Sequence, residues 1–221
     1  MTVIAQADPV NGEATFTEDT HESPDGCRGT AVLSTDLTRR YLLTRRWDDG
    51  PLMAWLMLNP STADARTDDA TITRCVRRAR DLGTFGGIAV VNLFSLRTTD
   101  PRRLRSCPDP VGTGNDSFVA RTCQNAVLVV VAWGAHGAYL RRGAEVMALL
   151  ARSGIQPFCL GVTANGQPRH PGRMAYATPL VPLISGREEV GDRNPSKTAG
   201  AAQLAGTAAP AQIRTLERNQ S

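Results

Sequence analysis

The chain has 221 residues, 41% hydrophobic, 21% charged and 5% aromatic, with a formal net charge of +4. That length suits one domain of about 150 residues with tails better than two full domains, and it is enough to bury a core. No apolar run approaches the roughly 18 residues of a membrane span, and Met1 to Asn11 lacks the basic and apolar regions of a secretory signal, so a soluble, cytoplasmic protein is expected.

Residues 1–26 are mostly polar and are expected to form a disordered head. The single α/β domain is placed at 27–185. Tyr41 to Trp47 and Met53 to Leu58 read as strands joined by the turn Asp48-Asp49-Gly50-Pro51. Residues 69–82 follow as a helix with Ile72, Cys75, Val76 and Ala79 on one face, and Arg74, Arg77 and Arg78 away from it. Asp68 is positioned to cap this helix and Gly83 to end it. Ile88 to Leu93 and Val127 to Trp133 are apolar runs of the kind found in parallel strands buried on both faces. Asp116 to Cys123 and Tyr139 to Ser153 supply helices, and Pro157 to Val162 a last strand. The alternation predicts a three-layer α/β sandwich with a mostly parallel central sheet. Ten of the eleven aromatics lie between Tyr41 and Tyr176. Beyond Ile184 the chain is rich in Ala, Gly and polar residues, so 186–221 is expected to be a disordered tail.

Ligands collect at the carboxyl ends of parallel strands, and here those ends carry polar residues. Met53–Leu58 runs into Asn59, Ser61, Thr62 and Asp64. Ile88–Leu93 carries Asn92 and leads to Arg97. Val127–Trp133 leads to His136, and the last strand to Arg169 and His170. Asn59-Pro60 is either a turn exit or a site residue. Asp64 is the candidate general base, or else a solvated loop carboxylate. Asp68 and Asp69 read as helix-cap and dipole partners. His136 lies between glycines that permit either close ligand approach or a tight turn. His170 is held by prolines 168 and 171, where an imidazole could stabilise a base anion. Trp133 is a core residue or a stacking wall for a base.

The five cysteines are scattered without a CxxC, which excludes a zinc ribbon or a compact iron–sulfur run. No metal and no cofactor is expected. Only Lys197 breaks an otherwise all-arginine basic complement, which reflects either a GC-rich genome or a phosphate-binding surface. The helix arginines read as a solvated face, whereas Arg97, Arg102 and Arg103 around Asp100 suit phosphate contact. The nucleotide loops GxxxxGK and GxGxxG are absent.

The strings LNPSTAD, VVNLF, TDP, WGAHG and GQPRHP occur in that order. Together they resemble the bacterial domain-of-unknown-function family 1643, across roughly Arg40 to Leu183. More distantly, Asn-Pro after an early strand, an Asn-Leu strand end, Trp-Gly before a helix and a late His-Pro are similar to the uracil-DNA glycosylase superfamily. That resemblance implies its fold and the hydrolysis of a nucleobase N-glycosidic bond, in nucleic acid or a nucleoside. By that resemblance Asn59 would position water and His170 would stabilise the departing base; Asp64, the general-base candidate from the residues themselves, joins them as the third catalytic candidate. Ser61, Thr62, Asn92, Arg97, Trp133, His136 and Arg169 are the candidate substrate contacts. Ser61 replaces the glycine expected after Asn-Pro, and Gly172-Arg173 replaces the usual Ser-Pro after His170-Pro171. A non-catalytic nucleic-acid or nucleotide-binding module is the alternative.

Overall fold

The structure is a computed structural model that describes residues 15–183. In chain order it contains β1 (Phe16–Glu22), β2 (Arg28–Ser34), β3 (Arg40–Arg46), β4 (Leu52–Met57), α1 (Ala70–Asp81), β5 (Gly87–Asn92), α2 (Asn115–Gln124), β6 (Leu128–Val131), α3 (Arg142–Arg152), β7 (Phe158–Cys159) and β8 (Val181–Pro182). Short 3-10 turns occupy Pro101–Ser106, Ala135–Arg141 and Pro171–Arg173. The expected tail at 186–221 and the first fourteen residues of the expected head lie outside the described residues.

All eight strands join one sheet in the order β1-β2-β3-β5-β4-β6-β7-β8. Only the three central pairs β5–β4, β4–β6 and β6–β7 are parallel; the other four are antiparallel. The protein is therefore α/β with a mixed sheet, and the expectation of a mostly parallel one is corrected. The runs β4, buried from Met53 on, and β5, buried throughout, are parallel to each other, as their composition indicated. β2, with Ala31, Val32 and Leu33 buried, and the polar edge strand β1 extend the sheet as an antiparallel meander, because a half-solvated edge tolerates Thr, Glu and Asp. The turn at 48–51 does not close a hairpin, since β5 inserts between β3 and β4.

The head boundary also moves. Phe16 packs edge-on against Tyr41 at 4.7 Å and Phe118 at 5.0 Å between ring centroids, which ties β1 to the domain. That buried aromatic and the backbone pairing with β2 together order a segment whose other side chains are polar.

Alternate residues of the central strands feed two apolar clusters on opposite faces. Met53, Trp55, Ile88 and Val90 meet Ile72, Cys75 and Ala79 of α1. Ala54, Leu56, Val91 and Val131 meet Val119 and Cys123 of α2 with Val146 and Leu150 of α3. Asp69, not Asp68, caps α1, accepting from the backbone N–H of Thr71 and Ile72. Asp68 instead pairs with buried Arg45 at 2.7 Å. The arginines of α1 are not all a solvated face. Arg78 is buried and donates to the carbonyls of Ala175, Tyr176 and Thr178, while the Arg77 guanidinium lies 4.2 Å over the Tyr176 ring. These contacts fasten the chain that follows the last 3-10 turn onto α1. Among the described residues no helix is long and apolar enough to cross a membrane.

Candidate functional site

A cavity of about 900 Å³ opens where the carboxyl ends of the parallel strands meet the start of α1. The chain leaving β4 contributes Asn59 and Ser61, the chain after β5 contributes Thr98 and Thr99, and the exit of β6 contributes Trp133 and His136. The loop after β7 adds Arg169 and His170. Strand ends that are neighbours in a parallel sheet bring their loops together whatever their separation in sequence.

The amide of Asn59 donates to the carbonyls of Thr98, at 2.7 Å, and Pro60, at 2.9 Å. Two carbonyl acceptors fix the amide orientation, so Oδ1 is the edge left to accept from water or a ligand. Trp133 is 3% exposed. Its indole N–H donates to Gln167 Oε1 at 2.8 Å, and its ring rests against Gly137 and Gly143, which have no Cβ to displace it. Gly134, at φ 72° and ψ −172°, turns the chain out of β6 in a conformation that glycine alone adopts readily. Its N–H donates to Pro168 O at 2.8 Å, joining the β6 exit to the His170 loop.

His170 Nδ1 accepts from the backbone N–H of Gly172 at 3.1 Å. An acceptor at Nδ1 places the proton of the neutral ring on Nε2, which makes that edge a donor. The ring is open to the cavity but crowded by the surrounding protein. Desolvation lowers its pKa from the ordinary 6.5, against an opposing pull from Asp69. Neutral His170 is the form held at pH 7.

The carboxylate of the cavity is Asp69, not Asp64. Asp69 Oδ1 caps α1 with two contacts of 2.9 Å, and among the described residues Oδ2 has no protein partner. Asp64 turns back on its own loop and accepts from the N–H groups of Arg66, at 2.9 Å, and Thr67, at 2.8 Å. Burial works against its ionisation, yet those two hydrogen bonds prevail and hold the carboxyl below the usual range. A carboxylate so occupied is a weak base directed away from the cavity.

Three other expected contacts are also displaced. Asn92 is 2% exposed and lies beneath the site, where its Oδ1 meets Arg40 at 3.4 Å. Thr62 and Arg97 line an adjoining groove of about 580 Å³, with Ser61, Thr98 and Thr99 shared between it and the main cavity. Arg97 is drawn to the backbone carbonyls of Ser61, Thr62 and Leu37. Of the arginines near Asp100, Arg102 pairs with that carboxylate at 3.0 Å and Arg103 borders the groove. Two residues went unrecognised in the sequence. Asp69 read as a cap, which it also is, and Arg40 stood at the border of a strand without a motif around it. All five cysteines are free thiols, and none lines the main cavity. Among the described residues no cluster of His, Cys, Asp and Glu could hold a metal.

These features define an α/β protein with a polar, partly apolar-walled cavity at the carboxyl edge of a mixed sheet. The chain belongs to the family described as "Protein of unknown function (DUF1643)", whose profile matches residues 40–172. That span includes Arg40, Asn59, Asp69, Trp133, His136 and His170. Comparison with curated proteins and with solved structures gives no match.

Proposed function

We propose that this protein binds a nucleobase-bearing ligand in the cavity and hydrolyses its N-glycosidic bond, on a fold related to the uracil-DNA glycosylases. The observation that carries the reading is the convergence of Asn59, Asp69, Trp133 and His170 on one cavity from four separate stretches of chain. A cavity of about 900 Å³ lies within the usual range for small-molecule sites, roughly 300–1,000 Å³.

In this mechanism the bond between the sugar C1′ and the base nitrogen lengthens first, leaving positive charge on the sugar and negative charge on the base. Neutral His170 donates its Nε2–H to a base oxygen and so stabilises the departing anion. Asp69 Oδ2 faces the sugar cation and receives the proton of the attacking water, whose oxygen forms the new bond to C1′. Asn59 Oδ1 holds that water by accepting its other hydrogen. The departing base takes up the proton passed on from Asp69, so the products are the free base and the hydroxylated sugar. Trp133 supplies an apolar wall for the base, and His136 and Arg169 sit at the cavity margin. Ser61 lies at the border that the cavity shares with the adjoining groove.

A mass-spectrometric screen for free base, using nucleosides, nucleotides and modified oligonucleotides, tests the proposal. Release that disappears in Asn59→Ala and His170→Ala, with circular dichroism unchanged, supports it; a wild-type protein inert toward every substrate refutes the reaction. A second reading, a non-catalytic nucleotide-binding module, is favoured by one feature: Asp64 is spent on its own turn.

A further inference from the structure

Arg40 stands apart from the rest of the cavity wall. It begins β3, lines the cavity and is only 2% exposed, so it lies at the deep end. A guanidinium has five N–H donors. Two find acceptors here, the carbonyl of Ala63 at 2.9 Å and Asn92 Oδ1 at a long 3.4 Å. Nε is buried with no partner at all. Among the described residues no carboxylate forms an ion pair with Arg40, although Asp69 and Asp64 act on it from further away. Of the other buried arginines, Arg45 has Asp68 and Arg142 has Asp116 and Glu145. Arg78 also leaves Nε unpartnered, but three backbone carbonyls hold its terminal nitrogens and it lies outside the cavity, whereas Arg40 lines it with a single short bond.

Buried charge is normally paired, because the desolvation penalty otherwise goes uncompensated. Burial lowers the Arg40 pKa to about 10, which still leaves it cationic at neutral pH. Arg169 and Arg173 line the same cavity, and among the described residues neither has a carboxylate partner. Against these three cations the cavity sets one acidic side chain, Asp69. Only Arg40 of the three is buried; the exposed Arg169 and Arg173 add positive charge beside it, so the cavity favours an anion. A phosphate monoester carries about −1.5 to −2 near pH 7, and its oxygens match the fork of a guanidinium.

Resting on the nucleobase reading above, we infer that the ligand is a free nucleotide, whose terminal phosphate enters the cavity and seats on Arg40. A backbone phosphate of a polymer continues on both sides and has to stay at the surface, where Arg40 is out of reach. A terminal phosphate has one attachment and can be buried. The adjoining groove with Arg97 and Arg103 is then a surface feature beside the site rather than the track of a strand.

Titration calorimetry on the full chain tests this with three probes: inorganic phosphate, a nucleoside and the matching 5′-monophosphate, in purine and pyrimidine sets. The monophosphate is expected to bind roughly ten- to hundredfold tighter than the nucleoside, as befits hydrogen bonds to a charged group, with inorganic phosphate competing. Arg40→Gln should abolish that advantage and leave nucleoside affinity in place. Should Arg40→Gln fail to fold, the exposed pair Arg169→Ala and Arg173→Ala should still narrow it. Equal affinity for nucleoside and monophosphate overturns the inference and leaves the nucleobase reading standing. Phosphate binding without any gain from a base upholds the anion seat and overturns that reading. A folded Arg40→Gln that keeps the full advantage, or no binding of any probe, overturns the inference.

Discussion

Replacing Gly137 by alanine probes whether the Trp133 wall is a fixed surface. A Cβ on Gly137 would lie 1.9 Å from Trp133 Cδ1 and 2.3 Å from Nε1, distances no atom pair tolerates. Gly137 does not adopt a positive φ, so alanine is acceptable to the backbone there and the penalty is purely steric. Either the indole swings away and loses its 2.8 Å bond to Gln167, or the 134–137 backbone retreats. Overpacking and one lost hydrogen bond together cost about 2–4 kcal/mol. In a domain of this size that lowers Tm by about 4–16 °C. Gly143→Ala is the control: its Cβ would meet Trp133 Nε1 at 3.2 Å and Gly137 O at 3.0 Å. Those contacts are tight rather than overlapping, so its destabilisation should be the smaller of the two. Calorimetry measures both melts, and near-ultraviolet circular dichroism follows the indole. If the two variants melt together, Trp133 is not held as described and the cavity wall is not preformed.

Three further outcomes follow from buried or shifted groups. Arg142→Met keeps the aliphatic stem but removes the bonds to Asp116, Glu145 and the Leu93 carbonyl; because both carboxylates are half exposed or more and can hydrate, the cost in urea unfolding should be about 1–3 kcal/mol, and an unchanged midpoint contradicts it. Since the folded-state pKa of His170 is depressed, the unfolded chain binds more protons there, so its contribution is present above about pH 6.5 and is lost as pH falls through the lower folded value; an NMR titration placing His170 above the ordinary histidine range refutes this. An aromatic disulfide reagent should label the half-buried Cys27 and Cys107 in the native protein. Cys75, Cys123 and Cys159 should react only after unfolding, since burial pushes all three thiols up, Cys123 to about 12.

How much of the fold was legible depended on what each strand buries. β4, β5 and β6 are near-continuous Val, Leu, Ile, Met and Ala, and their composition announces burial on both faces. The period of α1 likewise stands out, with Ile72, Cys75 and Ala79 inward. β1 reads FTEDTHE, which has no apolar period; its place in the sheet comes from backbone pairing with β2 and from Phe16. Tertiary context of that kind overrides local propensity. The insertion of β5 between β3 and β4 was also invisible, because a four-residue turn between two strands is the ordinary mark of a hairpin.

The site was legible in its loops and misread in its carboxylate, for a physical reason. Asn59, Ser61, Trp133, His136, Arg169 and His170 reach the cavity because topology gathers the strand ends, and strand ends are visible as the close of apolar runs. Which of the acids between Asp64 and Asp69 faces inward depends on a few backbone torsions that no spacing rule encodes. Asp64 satisfies Arg66 and Thr67 within its own loop, whereas Asp69 sits where the chain enters α1 and that helix start borders the cavity. A capping aspartate uses one oxygen on the helix and retains the other, so structural duty and chemistry are compatible in the same side chain. Arg40 makes the complementary case. Its charge is conspicuous only once the surrounding strands are seen to bury it without a counter-ion, a property of the packed state that the sequence around it does not display.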